Sequence, residues 1–100
     1  MSAFKYLEPG RFTVTGDLTF ASVPEIWNQA RKSLLDVLED SLEIDIGEVQ
    51  KFDSSGLALM VAWSRWANCN KKDLVFSNVS ENAQKLIQIN KLQDVLNLAN

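Results

Sequence analysis

The segment at positions 42–46, LEIDI, restricts the fold of this chain more than any other stretch. Apolar Leu42, Ile44 and Ile46 alternate with two acidic residues, and successive side chains of a β-strand point to opposite faces. A strand that is covered by helices on both faces reads as continuously apolar. The alternation therefore predicts a sheet whose helices pack mainly on one face.

The opening third of the chain predicts short strands separated by turns. The segment AFKYLE ends at Pro9-Gly10, a turn pair, and RFTVTG follows with alternating apolar and polar residues. Gly16-Asp17 predicts a second tight turn, and with it a hairpin formed by RFTVTG and the short LTF segment.

Apolar residues at helical spacing predict a first helix over residues 22–40. Ser22 and Glu25 have the spacing of a capping box, and Pro24 lies in the first turn, where its missing N–H costs nothing. The apolar residues of this predicted helix that face the core are Val23, Ile26, Trp27, Ala30, Leu34 and Leu38.

A second helix begins near Asp53, and a short strand, DLVFS, follows at Asp73–Ser77. Ser80 is a suitable N-cap for a third helix, ENAQKLIQI, which Asn90 is expected to end in the left-handed conformation. The order of strands and helices predicts one α/β domain over residues 1–100, with a small mixed sheet whose later strands are parallel.

Composition excludes several classes of function. The chain has 100 residues, a net charge of −3, no histidine and a single cysteine, Cys69. The negative charge argues against nucleic-acid binding, and the lack of histidine removes the commonest general base and metal ligand. No apolar run reaches the roughly 20 residues needed to cross a bilayer. We expect a cytoplasmic chain without direct membrane insertion.

The segment FDSSGLALMV combines polar residues with the start of an apolar helix. Asp53 and Ser54 have side-chain oxygens that accept hydrogen bonds from the unpaired N–H groups of a first helical turn. The same N–H groups also attract anions, so an exposed Ser54 beside Gly56 is favourably placed to carry a phosphate. Capping and phosphate chemistry both remain open at this point.

The predicted second helix divides into two sides at 100° per residue. Its core side contains Leu59, Ala62, Trp63, Trp66 and Ala67, whereas two aliphatic residues fall on the polar side below Ser54. Those residues are either isolated exposed side chains or part of a strip that binds another protein. The strip consists of Ser54, Leu57, Val61, Ser64 and Arg65, with Met60 at its edge.

Catalysis has little support in the sequence, and no cofactor is expected. The serines lack a histidine to activate them, and GEVQKFDSSG is not a phosphate-binding Gly-rich loop. Asp45, Glu48 and Asp53 are the one candidate set for a cation, but their neighbours are apolar and no Asp-rich loop is present. We expect neither an enzyme nor a metal site.

The strand LEIDIGEV, a short loop and FDSSGLALMV resemble the signature of STAS domains, the fold of the anti-sigma-factor antagonists. The resemblance runs from about Phe12 to Leu98, and DSSGL is its most specific part. It implies a STAS fold, and in the antagonists a partner kinase phosphorylates the serine that matches Ser54. Ser54 is therefore a candidate phosphosite, with Asp53 as the matching neighbour.

Within this family, DSSGLALMVAWSRWA and LTFASVPEIWNQA are similar to the STAS subunits of ABC-type phospholipid transporters of Gram-negative bacteria. This similarity implies an accessory subunit that binds the transporter ATPase, together with its permease, at the cytoplasmic side of the inner membrane. The alternative is an antagonist whose partners are a GHKL-type kinase or an anti-sigma factor. The expected interface consists of Asp53, Ser54, Ser55, Gly56, Leu57, Met60, Val61, Ser64 and Arg65, with Leu57 and Val61 buried against the partner.

Overall fold

A computed structural model describes residues 2–99 of the chain. Four strands and three helices alternate after an initial hairpin. Their bounds are β1 (Ala3–Glu8), β2 (Arg11–Leu18), α1 (Val23–Leu35), β3 (Ser41–Phe52), α2 (Ser54–Cys69), β4 (Asp73–Ser77) and α3 (Glu81–Ile89).

The strands form one mixed sheet in the order β1-β2-β3-β4. β1 and β2 are antiparallel and meet at the Pro9-Gly10 turn, where Gly10 adopts a φ of 80°. β2, β3 and β4 are parallel to one another, and α1 and α2 form the connections between them. The predicted order of elements and the parallel later strands are confirmed.

The helices cover the apolar face of this sheet. α1 packs against β1 and β2, α2 packs against β3 and β4, and α3 packs against α2. Glu43 and Asp45, on the opposite face of β3, are partly exposed. The predicted mixed α/β architecture is confirmed. The strand residues buried beneath the helices are Phe4, Phe12, Val14, Leu18, Leu42, Ile44, Ile46, Leu74 and Phe76.

The predicted turn at Gly16-Asp17 is wrong. β2 continues through both residues to Leu18, and Gly16 adopts a φ of 87° at an irregularity in the register with β3. β3 is correspondingly longer than LEIDI and extends to Phe52, which pairs with Leu18. The neighbouring strand supplies backbone partners for this segment, and these outweigh the local preference of Gly-Asp for a turn.

The first helix is shorter than predicted, and its capping box does not form. The Ser22 hydroxyl donates to the carbonyl of Asp17 at 2.6 Å and accepts from the N–H of Thr19 at 3.0 Å. It makes no capping hydrogen bond to α1. Leu38, which the pattern assigned to the core face, lies beyond the end of the helix and is 88% exposed.

Ser80 caps α3 as predicted, since its hydroxyl accepts from the N–H of Ala83 at 3.1 Å. Asn90 ends the helix with an ordinary φ of −89°, and Lys91 adopts the left-handed conformation instead, with a φ of 57°. The segment after α3 forms a turn, and Leu98 then pairs with Phe76 of β4 in a parallel bridge. Among residues 2–99, no helix combines the length and the apolar character needed to cross a bilayer.

Candidate functional site

The Asp53 side chain connects two backbone segments near the carboxyl ends of β2 and β3. One carboxylate oxygen accepts from the N–H of Ser55 at 2.8 Å and of Gly56 at 3.3 Å, which confirms the predicted N-cap of α2. The other oxygen accepts from the N–H of Phe20 at 3.1 Å, in the loop between β2 and α1. A single side chain therefore fixes the start of α2 to a neighbouring loop.

The hydrogen bonds of Asp53 lower the pKa of its carboxyl group. Desolvation by burial alone would raise that pKa, but the N–H groups of Phe20, Gly56 and Ser55 all favour the charged form and outweigh it. Asp53 is therefore a carboxylate at neutral pH. Its negative charge lies at the positive end of the helix macrodipole.

Ser54 and Ser55 occupy the first turn of α2 and differ in exposure. Ser54 is the first residue of the helix and is exposed, whereas Ser55 is half-buried and lines a surface groove. No hydrogen bond to the Ser54 hydroxyl forms within residues 2–99. A reagent or a partner from solvent can therefore reach this hydroxyl directly.

Gly56 is buried where α2 crosses the end of β2. A Cβ atom at this position would lie under 3.0 Å from the carbonyl oxygen of Leu18 and 3.0 Å from the Phe52 ring. A backbone carbonyl cannot move aside as the end of a flexible side chain can. The glycine of the DSSGL segment is thus required for close packing of α2 on the sheet.

The predicted exposure of three residues of the docking strip is wrong. Leu57 is 4% exposed, Met60 is 0% exposed and Ser64 is 8% exposed, so all three belong to the interior. Val61 is half-buried, and Arg65 is exposed. Contact of Val61, Arg65 and the first turn of α2 with a partner stays a prediction, whereas the other three residues are inaccessible in this conformation.

The strip is buried because α2 has neighbours on both of its sides. It contacts α1 on one side and α3 on the other, in addition to β3 and β4 beneath it. Ser64 faces a small cavity that is also lined by Val95 and Asn97, from the segment after α3. A helix enclosed in this way needs a wider apolar surface than one that covers a sheet alone.

One side of α2 remains open. It is the side that faces α1, and an apolar groove of about 350 Å³ runs between the two helices there. Ala58 is exposed and Ala62 is half-buried, and these small side chains line the groove together with Trp27. We call this surface the α1–α2 groove. It is lined by Val23, Trp27, Ser55, Ala58, Leu59 and Ala62.

A second, smaller cavity of about 110 Å³ also lies between α1 and α2, and Trp27 lines both cavities. The other two tryptophans of the chain, Trp63 and Trp66, also line this cavity, and Arg31 is its charged residue. The apolar surface of the α1–α2 groove therefore extends along most of the contact between the two helices.

Helical periodicity missed the groove because Ala62 and Trp27 read as ordinary core residues. Spacing assigns a residue to a side of its helix, but whether that side is covered depends on neighbouring elements. The pairing of small residues at positions 58 and 62 was the available signal, because residues four apart lie on the same face of a helix.

The acidic residues considered for a cation do not assemble. Asp45 accepts from the N–H of Gly47 at 2.8 Å, and Asp53 is occupied by the three N–H groups described above. Within residues 2–99 no three metal-ligating side chains lie close enough to hold an ion.

The mixed sheet with helices on one face is shared with a known protein family. A profile described as Mlab, STAS domain, matches residues 5–98, and the chain belongs to this family of STAS domains. Such domains bind partner proteins and are generally non-catalytic regulatory or accessory domains, and no enzymatic family is indicated.

The fold is also similar to a solved structure, "Structure of the Anti-Sigma Factor Antagonist SpoIIAA in its Unphosphorylated Form". The TM-score is 0.75 at 16% identity, over 100% of this chain and 89% of the other. At this level of identity the similarity shows the fold alone. No curated protein sequence matches the chain.

Proposed function

We propose that this chain is a non-catalytic accessory subunit that binds the cytoplasmic ATPase of an ABC-type phospholipid transporter through the α1–α2 groove. Two observations support this class of partner. The family match carries the description Mlab, and the sequence resembles the STAS subunits of ABC-type phospholipid transporters. The observation that carries the location is the groove itself, an open apolar surface that begins beside the exposed Ser54. In this proposal the chain lies at the cytoplasmic face of the inner membrane, held there by the ATPase and its permease.

The composition of the groove suits the burial of a partner helix or loop. Ala58 and Ala62 allow a partner backbone to approach closely, and Trp27 provides a large apolar contact area at its side. Aromatic side chains are enriched among the residues that dominate binding energy at protein interfaces. Arg65, exposed two turns beyond Ala58, supplies a polar contact at the rim.

The proposal is tested by affinity purification of the tagged chain in mild detergent, with partners identified and counted by mass spectrometry. We expect an ABC ATPase and its permease at a near-integer ratio. Ala58→Glu places a charge in the groove and should weaken ATPase binding by about 30-fold or more, because the charge must be desolvated. Leu38→Glu is the matched control, since Leu38 is exposed and lies outside the groove. Equal binding by Ala58→Glu and wild type would contradict the proposed surface.

A second candidate function is an anti-sigma-factor antagonist switched by phosphorylation of Ser54. The observation that favours it is the exposed Ser54 hydroxyl, which makes no hydrogen bond within residues 2–99. The same purification distinguishes the two, because recovery of a kinase or an anti-sigma factor with phosphate on Ser54 would support the switch. Recovery of an ATPase and permease with unmodified Ser54 would support the transport subunit.

A further inference from the structure

Phe20 is the most exposed aromatic residue within residues 2–99, and its backbone is not free. Its side chain is 81% exposed in the loop between β2 and α1, three residues before Val23 of the groove. Its N–H donates to Asp53, the residue that also caps α2. A large apolar side chain is therefore presented to solvent from a loop that is fastened beside the groove.

We propose that Asp53 is a positioning residue that holds Phe20 beside the first turn of α2, where Phe20 serves as an apolar anchor for the ATPase. This inference rests on the proposed function and names a residue that determines the strength of binding at the same site. An exposed aromatic ring beside an apolar groove enlarges the apolar surface that a partner can bury. A loop that is ordered before binding loses less conformational entropy on association, so its anchor contributes more to affinity.

The two oxygens of the Asp53 carboxylate separate its two roles. One accepts from Ser55 and Gly56 at the helix cap, and the other accepts from Phe20. Asparagine caps helices as well as aspartate does, but its side chain has only one acceptor oxygen. Asp53→Asn therefore keeps the cap and removes the acceptor for Phe20, without a change in side-chain size.

A double-mutant cycle on binding tests the coupling, with the 100-residue chain and the purified ATPase recovered as described above. Phe20→Ala should weaken binding by about 30-fold, as expected for truncation of an aromatic anchor. Asp53→Asn should weaken binding by roughly 3- to 10-fold, the cost of ordering one side chain on association. In the Phe20→Ala background the same change should have an effect below about 2-fold, because the residue it positions is gone.

Leu38→Ala is the matched control, since Leu38 is as exposed as Phe20 but lies outside the groove, and its binding should equal that of wild type. Additive losses in the cycle would overturn the positioning role while leaving the proposed function intact. If Phe20→Ala bound the ATPase with wild-type affinity, the proposed role of Phe20 as an anchor would be overturned. No binding of an ATPase by the wild-type chain would overturn the proposed function and the anchor with it.

A measurement on the isolated chain tests the hydrogen bond without a partner. The amide proton signal of Phe20 should shift as the Asp53 carboxylate is protonated at acid pH, with the same midpoint as the signals of Ser55 and Gly56. This shift should be absent in Asp53→Asn. A Phe20 amide that does not follow the titration of Asp53 would overturn the proposed positioning.

Discussion

The two sides of α2 both carry apolar residues, but they lie in different environments. The closed side, formed by Leu57, Met60 and Ser64, is buried, whereas Ala58 on the open side is exposed and Ala62 is half-buried. Apolar residues occur on both sides, so hydrophobicity does not distinguish them. The difference arises from the neighbours, because α3 and the segment after it cover one side and α1 leaves a groove along the other.

This comparison shows how a central helix can be both a core element and a binding surface. On the closed side a large side chain, Leu57, is surrounded by protein and contributes to stability. On the open side small side chains leave room for a partner, at little cost to the isolated fold. Stability and binding are therefore expected to separate between adjacent positions, Leu57 and Ala58.

The largest effect is expected at Leu57. Leu57→Ala should lower the free energy of unfolding by about 2–5 kcal/mol, because it removes buried methyl groups and leaves a cavity. Chemical denaturation of the isolated chain measures this loss. Val61→Ala, on a half-buried residue of the same helix, is the control and should have a smaller effect. A loss below about 0.5 kcal/mol, the range usual for surface substitutions, would show that Leu57 is not part of the interior.

A smaller loss is expected for Gly56→Ala. Alanine favours a helix interior over glycine by about 1 kcal/mol, but the added Cβ would collide with the backbone of Leu18. Overpacking of this kind costs about 1–3 kcal/mol. We expect a net loss of unfolding free energy in denaturation, with Ser55→Ala as the neighbouring control. An increase in stability would contradict the close approach of α2 to β2.

Much of the fold was predictable from the sequence because local patterns and tertiary packing agree there. LEIDI alternates as its strand does, the DLVFS strand has the predicted bounds, and Ser80 and Asp53 cap their helices as expected. Disagreements occur where a neighbour overrides the local preference. Gly16-Asp17 would form a turn in isolation, yet the adjacent strand keeps it extended.

The site was predictable only in part. The start of α2 could be predicted from the cap residues, because aspartate is strongly preferred at the N-cap of a helix. The groove could not be predicted, because the side of α2 that stays open depends on α1, α3 and the segment near Val95. The position of the Phe20 backbone also depends on tertiary structure, through the hydrogen bond from its N–H to Asp53.

Acid pH provides a test of the hydrogen bonds that join the start of α2 to the loop before α1. The folded pKa of Asp53 is lowered below its ordinary value of 3.8, so the carboxylate stabilises the fold above that value. This contribution should be lost as the pH falls from 3.8 through the lowered folded pKa. Denaturation from pH 5 downward should show wild type losing its advantage over Asp53→Asn in that range. A constant difference between the two proteins would contradict the lowered pKa.

The smallest effect on stability is expected at Ala58, on the open side. Glutamate is a good helix former, and its charge near the start of α2 is compatible with the helix macrodipole. Because Ala58 is exposed, Ala58→Glu should change the free energy of unfolding by no more than about 0.5 kcal/mol, the range usual for surface substitutions. Chemical denaturation of Ala58→Glu and Leu57→Ala under the same conditions compares the losses of unfolding free energy at two adjacent residues. A loss at Ala58 as large as at Leu57 would show that α1 closes over this side too, and a partner could then reach α2 only at its first turn.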